Sequence, residues 1–125
     1  MKKIALSGLE ENIMDIVWEL QKCPIREVKS KLDETNKLAY TTVATIICRL
    51  ENKGFLKRIK QNGGICYCPK ITKEEYSRGI TASFFNKIYE SFGNIALVSF
   101  AESLGSLSKD KKDYFLKLLE KNENK

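Results

Sequence analysis

Ala39–Pro69, AYTTVATIICRLENKGFLKRIKQNGGICYCP, changes period halfway along. In Ala39–Lys53, Val43, Ile46, Ile47 and Leu50 recur at helical spacing and form one compact apolar face. At ~100° per residue, Thr41, Thr45, Cys48, Arg49 and Asn52 gather on nearly the opposite side. That stripe holds hydroxyls, an amide and a guanidinium, and no carboxylate. Gly54 is placed to end the helix. Beyond it, Phe55–Lys60 and Ile65–Pro69 flank Gln61-Asn62-Gly63-Gly64. Asn-Gly between two short runs predicts a hairpin, because both central turn positions take positive φ. Its first strand is basic, with Lys57, Arg58 and Lys60 following Lys53.

Two helices precede this stretch. Leu9, Ile13, Ile16, Val17 and Leu20 make an amphipathic stripe, with Ser7 placed as N-cap and acids in the first turn. Cys23-Pro24 is expected to stop that helix. Ile25, Val28 and Leu32 give a short second one, and the polar Asp33–Lys37 reads as a turn. Three helices followed by a basic two-stranded hairpin make a winged helix over residues 5–70, so residues 1–70 are expected to be a DNA-binding domain.

From Thr72 the pattern is helical only. Thr72 with Glu75 forms a capping-box pattern that opens a long helix carrying Tyr76, Ile80, Phe84, Phe85, Ile88, Tyr89 and Phe92. Gly93-Asn94 breaks it, Ile95–Leu104 is a short apolar helix, and Ser108 opens a last one through Glu120, expected to bury Tyr114, Phe115, Leu118 and Leu119. The predicted fold class is therefore mainly α with a small β-hairpin, a winged helix-turn-helix followed by a three-helix module. So short a segment buries that many aromatics poorly on its own. Residues 71–125 are accordingly expected to form a dimerisation domain, with Ile80, Phe84, Phe85, Ile88, Tyr89, Leu97, Phe100, Phe115 and Leu118 at the interface. The alternative folds these helices back onto the winged helix as one monomeric domain.

Composition narrows the chemistry. The 125 residues carry 22 Lys+Arg against 16 Asp+Glu, a net charge of +6. Residues 1–70 hold 13 basic and 8 acidic side chains, net +5, and residues 71–125 hold 9 and 8, net +1. The surplus that favours an anionic partner is thus local to the first half. The absence of His excludes Ser-His-Asp and Cys-His catalysis and every imidazole metal site. With no phosphate loop either, no catalytic residue, cofactor or small-molecule substrate is expected. No apolar run nears the ~18–20 residues that span a bilayer. Met1-Lys2-Lys3 with Ile4-Ala5-Leu6 mimics the start of a signal peptide, but Glu10, Glu11, Asn12 and Asp15 interrupt it. A cytoplasmic protein with four reduced cysteines is expected.

In a winged helix the second helix of the motif enters the major groove. Arg49 can bond a guanine bidentately or clamp a phosphate, and Thr41 and Thr45 can hydrogen-bond or touch a thymine methyl. Tyr40, Thr41 and Thr42 at the helix start suit phosphates. Lys53, Lys57, Arg58, Lys60, Gln61 and Asn62 would follow the backbone or the adjacent minor groove of double-stranded operator DNA. Against this stand solvated surface charges, a Tyr40 packed on the first helix, and a winged helix serving as a protein-interaction scaffold. Cys66 and Cys68, two apart on a strand, share a face and could offer two thiolates to a soft metal, half of a site in a thiol- or metal-responsive repressor.

Leu6–Trp18 (LSGLEENIMDIVW), Ala39–Leu56 (AYTTVATIICRLENKGFL) and Phe84–Glu102 (FFNKIYESFGNIALVSFAE) resemble the penicillinase and methicillin-resistance repressors of Gram-positive bacteria. The likeness is collinear from about residue 6 to 120. It implies a homodimeric transcriptional repressor on a palindromic operator upstream of β-lactam-resistance genes. It also implies a membrane sensor of β-lactams that triggers proteolysis in the tail at an Asn–Phe bond. The matching position is Ser99-Phe100, where Phe is kept and Asn is replaced by Ser. A copper-responsive branch carries a C-terminal cysteine cluster, and this chain has no Cys after 68.

Overall fold

Helix α1 (Gly8–Leu20) opens on a reciprocal cap. The Ser7 hydroxyl accepts the Glu10 N–H at 3.3 Å, and the Glu10 carboxylate accepts the Ser7 N–H at 3.0 Å. The helix closes on Gln21, at φ 68, whose N–H donates to the Val17 carbonyl. It therefore ends before Pro24 can act, a correction to the expectation that the proline stops it. These contacts belong to a computed structural model that describes residues 5–123. The signal-like start at Met1–Ile4 and the two terminal residues lie outside the described residues.

α2 (Ile25–Leu32) buries Val28 and Leu32, and α3 (Tyr40–Asn52) buries Val43, Ile46, Ile47 and Leu50, the faces that periodicity predicts. α3 ends in a Schellman motif: Phe55 N–H donates to the Leu50 carbonyl and Gly54 N–H to that of Glu51, with Gly54 at φ 87. β1 (Leu56–Gln61) and β2 (Gly64–Pro69) pair antiparallel, Leu56 opposite Pro69 and Gln61 opposite Gly64. Asn62 at φ 48 and Gly63 at φ 77 are the two central residues, the type I′ geometry that the dipeptide predicts. Cys23 exchanges both backbone hydrogen bonds with Tyr67, at 3.0 and 2.8 Å, which ties the α1–α2 connection to β2. Ile13, Met14, Val17, Leu32, Ile47 and Leu56 fill the core between the helices and the hairpin. This is the winged helix expected.

α4 (Lys73–Phe92) starts on the Thr72–Glu75 capping box, both bonds at 3.0 Å. α5 (Asn94–Gly105) follows Gly93 at φ 63, and α6 is Lys109–Glu123. Contacts divide the chain into two compact units, Met1–Thr81 and Ala82–Lys125. The boundary thus falls inside α4, later than the composition change at residue 70. The reason is Tyr76. Its ring lies 5.8 Å from Trp18 and 5.6 Å from Phe55, and its hydroxyl accepts the Leu6 N–H at 3.0 Å. Trp18 donates its indole N–H to the Ile71 carbonyl at 2.9 Å, and Ile80 packs on the same core.

In the second unit Phe85, Phe100 and Phe115 form an edge-to-face row, one ring from each helix, at 5.9 and 6.1 Å. α6 buries none of its residues within one chain, so Tyr114, Leu118 and Leu119, expected to be buried, stay exposed. Helical spacing identifies the apolar face of α6 but not what covers it.

Candidate nucleic-acid interface

The stripe of α3 opposite its buried face reaches the surface as the periodicity requires: Thr41, Thr42, Thr45, Cys48, Arg49 and Asn52 are all exposed. Thr45 donates its hydroxyl to the Thr41 carbonyl at 2.8 Å, which leaves its oxygen free to accept. No side chain caps α3 at Ala39, and its first turn carries no acid. The positive end of the helix is therefore open to an anion beside Tyr40, itself half exposed. Arg49 has no ion-pair partner among the described residues.

The basic residues that follow do not form one surface. Pleating sends successive side chains to opposite faces. Lys57, opposite Cys68, therefore lies on one face of the wing with Ile59 and Gln61, and Arg58 and Lys60 lie on the other, with Tyr67 and Ile65. Arg58 is already engaged, its guanidinium 3.0 Å from the Glu51 carboxylate. Lys57, Lys60, Gln61 and Asn62 are exposed. Arg26, which no sequence signal marks, joins Tyr40 and Gly64 around an open cleft between α2 and the wing.

Lys53, expected with the wing residues along the DNA backbone, has a partner within the fold. Its ammonium donates to both Glu10 carboxylate oxygens, at 3.0 and 2.8 Å, and so ties the end of α3 to the start of α1. Glu10 is 2% exposed. Burial pushes its carboxyl up, but the Lys53 hydrogen bond and the Ser7 bonds outweigh burial, and its pKa lies below the ordinary 4.5. Its stabilising contribution is thus complete above the unfolded pKa and lost as pH falls through the depressed one. Lys53→Met is expected to cost about 2 kcal/mol at pH 7, since it strands a buried carboxylate. The gap from wild type should narrow at acid pH, because the Glu10 carboxyl that has lost its ammonium partner protonates before the paired one and then no longer strands a charge. Urea midpoints at neutral and acid pH check this, and a constant gap would contradict it.

Among the described residues no three or more His, Cys, Asp or Glu side chains come together as a metal site. Burial pushes the Cys23 thiol up to about 11, so it is no thiolate at neutral pH. Cys66 and Cys68 are partly buried on the Lys57 face of the wing. No described helix is long and apolar enough to cross a membrane. In the second unit, Phe84, Tyr89, Leu97 and Phe100 are exposed, as are Phe92, Ile95, Val98, Tyr114 and Leu116, which the sequence did not place at an interface. Phe85, Ile88 and Phe115 are half-buried.

A helix-turn-helix with an open, carboxylate-free stripe on its second helix and a basic hairpin beside it defines a winged helix-turn-helix protein. A family model described as Penicillinase repressor matches residues 6–121, and the chain belongs to that family. Similar to it is the penicillinase repressor of Bacillus licheniformis, 29% identical over 126 residues, covering 100% of this chain and 98% of the relative. The methicillin resistance regulatory protein MecI of Staphylococcus aureus strain N315 is 25% identical over 120 residues, 96% and 97% covered. Among solved structures, monomeric B. licheniformis BlaI in complex with the blaP half-operator superposes with a TM-score of 0.53 at 28% identity, covering 60% of this chain and 92% of that one. The resemblance read in Leu6–Trp18, Ala39–Leu56 and Phe84–Glu102 is borne out at the level of family.

Proposed function

We propose that this chain is a transcriptional repressor that binds double-stranded operator DNA as a homodimer, with α3 in the major groove and the wing along the backbone. The observation that carries the reading is the exposed Thr41–Thr45–Arg49–Asn52 stripe beside an uncapped helix N-terminus. It lies on a winged helix whose relative is solved on a half-operator. Two copies joined through α4–α6 would fix the spacing of two α3 helices, so that both half-sites of a palindrome are bound together. The proteins controlled are those of β-lactam resistance, as the names of the relatives suggest, and the repressor acts on operator DNA in the cytoplasm. It performs no chemistry of its own.

Repression would end when a sensor-activated protease cuts at Ser99-Phe100. Both residues are exposed, but they lie mid-helix, and the Ser103 hydroxyl donates to the Ser99 carbonyl at 3.0 Å. Cleavage therefore requires α5 to open locally first. Nuclease protection of the DNA upstream of the chain's own gene tests the reading. Two protected tracts should appear, centred one or two helical turns apart, about 10 or 21 base pairs. Uniform protection, or none, would exclude a palindromic operator there.

A further inference from the structure

Glu51 is the one acid on α3, and it sits in the last turn, where the negative end of the helix dipole disfavours a carboxylate. It also borders a surface meant for phosphates. Its partner explains the placement. The Arg58 guanidinium lies 3.0 Å from the Glu51 carboxylate and 5.8 Å from the centroid of the Tyr67 ring, its cross-strand neighbour. Tyr67 is buried, and its backbone is held by Cys23 through two hydrogen bonds. The planar guanidinium can use its edge on a carboxylate and its face on an aromatic ring at once, which lysine cannot do. One side chain thereby couples the end of α3, the first strand of the wing and the core anchor of the second strand.

We propose that Arg58 is a positioning residue that holds the wing at a set angle to α3 through Glu51 and Tyr67, rather than a phosphate contact. The proposal rests on the DNA-binding reading above. Its consequence is geometric. With the angle held, the wing tip meets the backbone only when α3 is seated in the groove. Release of the pair would let the wing find phosphates on any duplex, so that discrimination falls more than affinity does.

The test is a cycle of Glu51→Gln, Arg58→Gln and the double variant, with Lys60→Gln as a control, each measured on operator and scrambled duplexes across a salt series. Both side chains are partly exposed, so all variants should fold. Each single substitution is expected to lower the operator-to-scrambled preference by about three- to fivefold, within the range of exposed ion pairs. The double variant should be no worse than either single. The slope of log affinity against log salt should be unchanged in Arg58→Gln and shallower by about 0.9 in Lys60→Gln. A shallower slope in Arg58→Gln, with Glu51→Gln neutral or tighter, would make Arg58 a phosphate contact and overturn the proposal, as would additive losses. If the wild type shows no operator preference, the DNA-binding reading itself fails. Amide exchange of β1 and β2 in the free proteins then decides the latch, and equal exchange in wild type and both single variants overturns it.

Discussion

Arg49→Ala is expected to weaken operator binding by about ten- to a hundredfold while changing binding to a scrambled duplex far less, the ~1–3 kcal/mol of a bidentate base contact. Arg49 is exposed on the stripe of α3 and has no carboxylate partner among the described residues, so its removal leaves no stranded group behind. Alanine is at least as good a helix former, so the fold should not suffer. The loss then belongs to recognition alone. Lys53, one turn on, makes the contrast: it is paired with Glu10, and its substitution should appear in stability rather than in sequence preference. Anisotropy titrations on the two duplexes separate the cases. Equal losses on both, with a shallower salt slope, would make Arg49 a phosphate clamp and leave base readout to the threonines and Asn52.

Phe84→Glu is expected to have the larger effect, about a hundredfold or more at nanomolar protein, because bivalent binding raises affinity by roughly 10²–10⁴ without any new contact. Phe84 is 64% exposed on α4, so within one chain it supports no packing that the substitution would destroy. A carboxylate inside a dimer interface would be desolvated and unpaired. The variant should sediment as a monomer, bind a single half-site as the wild-type chain does, and approach wild-type occupancy of the full operator only at high concentration. A variant that stays dimeric, or whose operator affinity falls equally at all concentrations, would place the interface elsewhere on α4–α6.

The parts of this molecule legible in the sequence are those governed by neighbours in the chain. Asn62-Gly63 dictates its turn through φ alone, Ser7 and Glu10 cap α1 three residues apart, and Thr72 and Glu75 do the same for α4. The spacing of Val43, Ile46, Ile47 and Leu50 orients α3 because burial follows the helical period. What escaped depends on partners distant in sequence. Nothing local marks Lys53 as the mate of an acid 43 residues upstream, or Tyr76 as an acceptor for the Leu6 N–H 70 residues away. Lys57, Arg58 and Lys60 read as one basic run, yet the pleat divides them between two faces and Glu51 claims one of them. A signal for the last point was present, since an acid in the final turn of a helix calls for a nearby cation. The exposed rings of α4–α6 mark an unpartnered apolar surface without naming what meets it.

The most direct test is fluorescence anisotropy of the full chain on the duplex upstream of its own gene, against a scrambled duplex of equal length at two salt concentrations, with stoichiometry read at saturation. Tight binding to the upstream duplex alone, two chains per site and a steep loss with added salt are the expected result. Equal, weak binding to both duplexes, or one chain per site with no gain over a half-site, would contradict a dimeric operator-binding repressor.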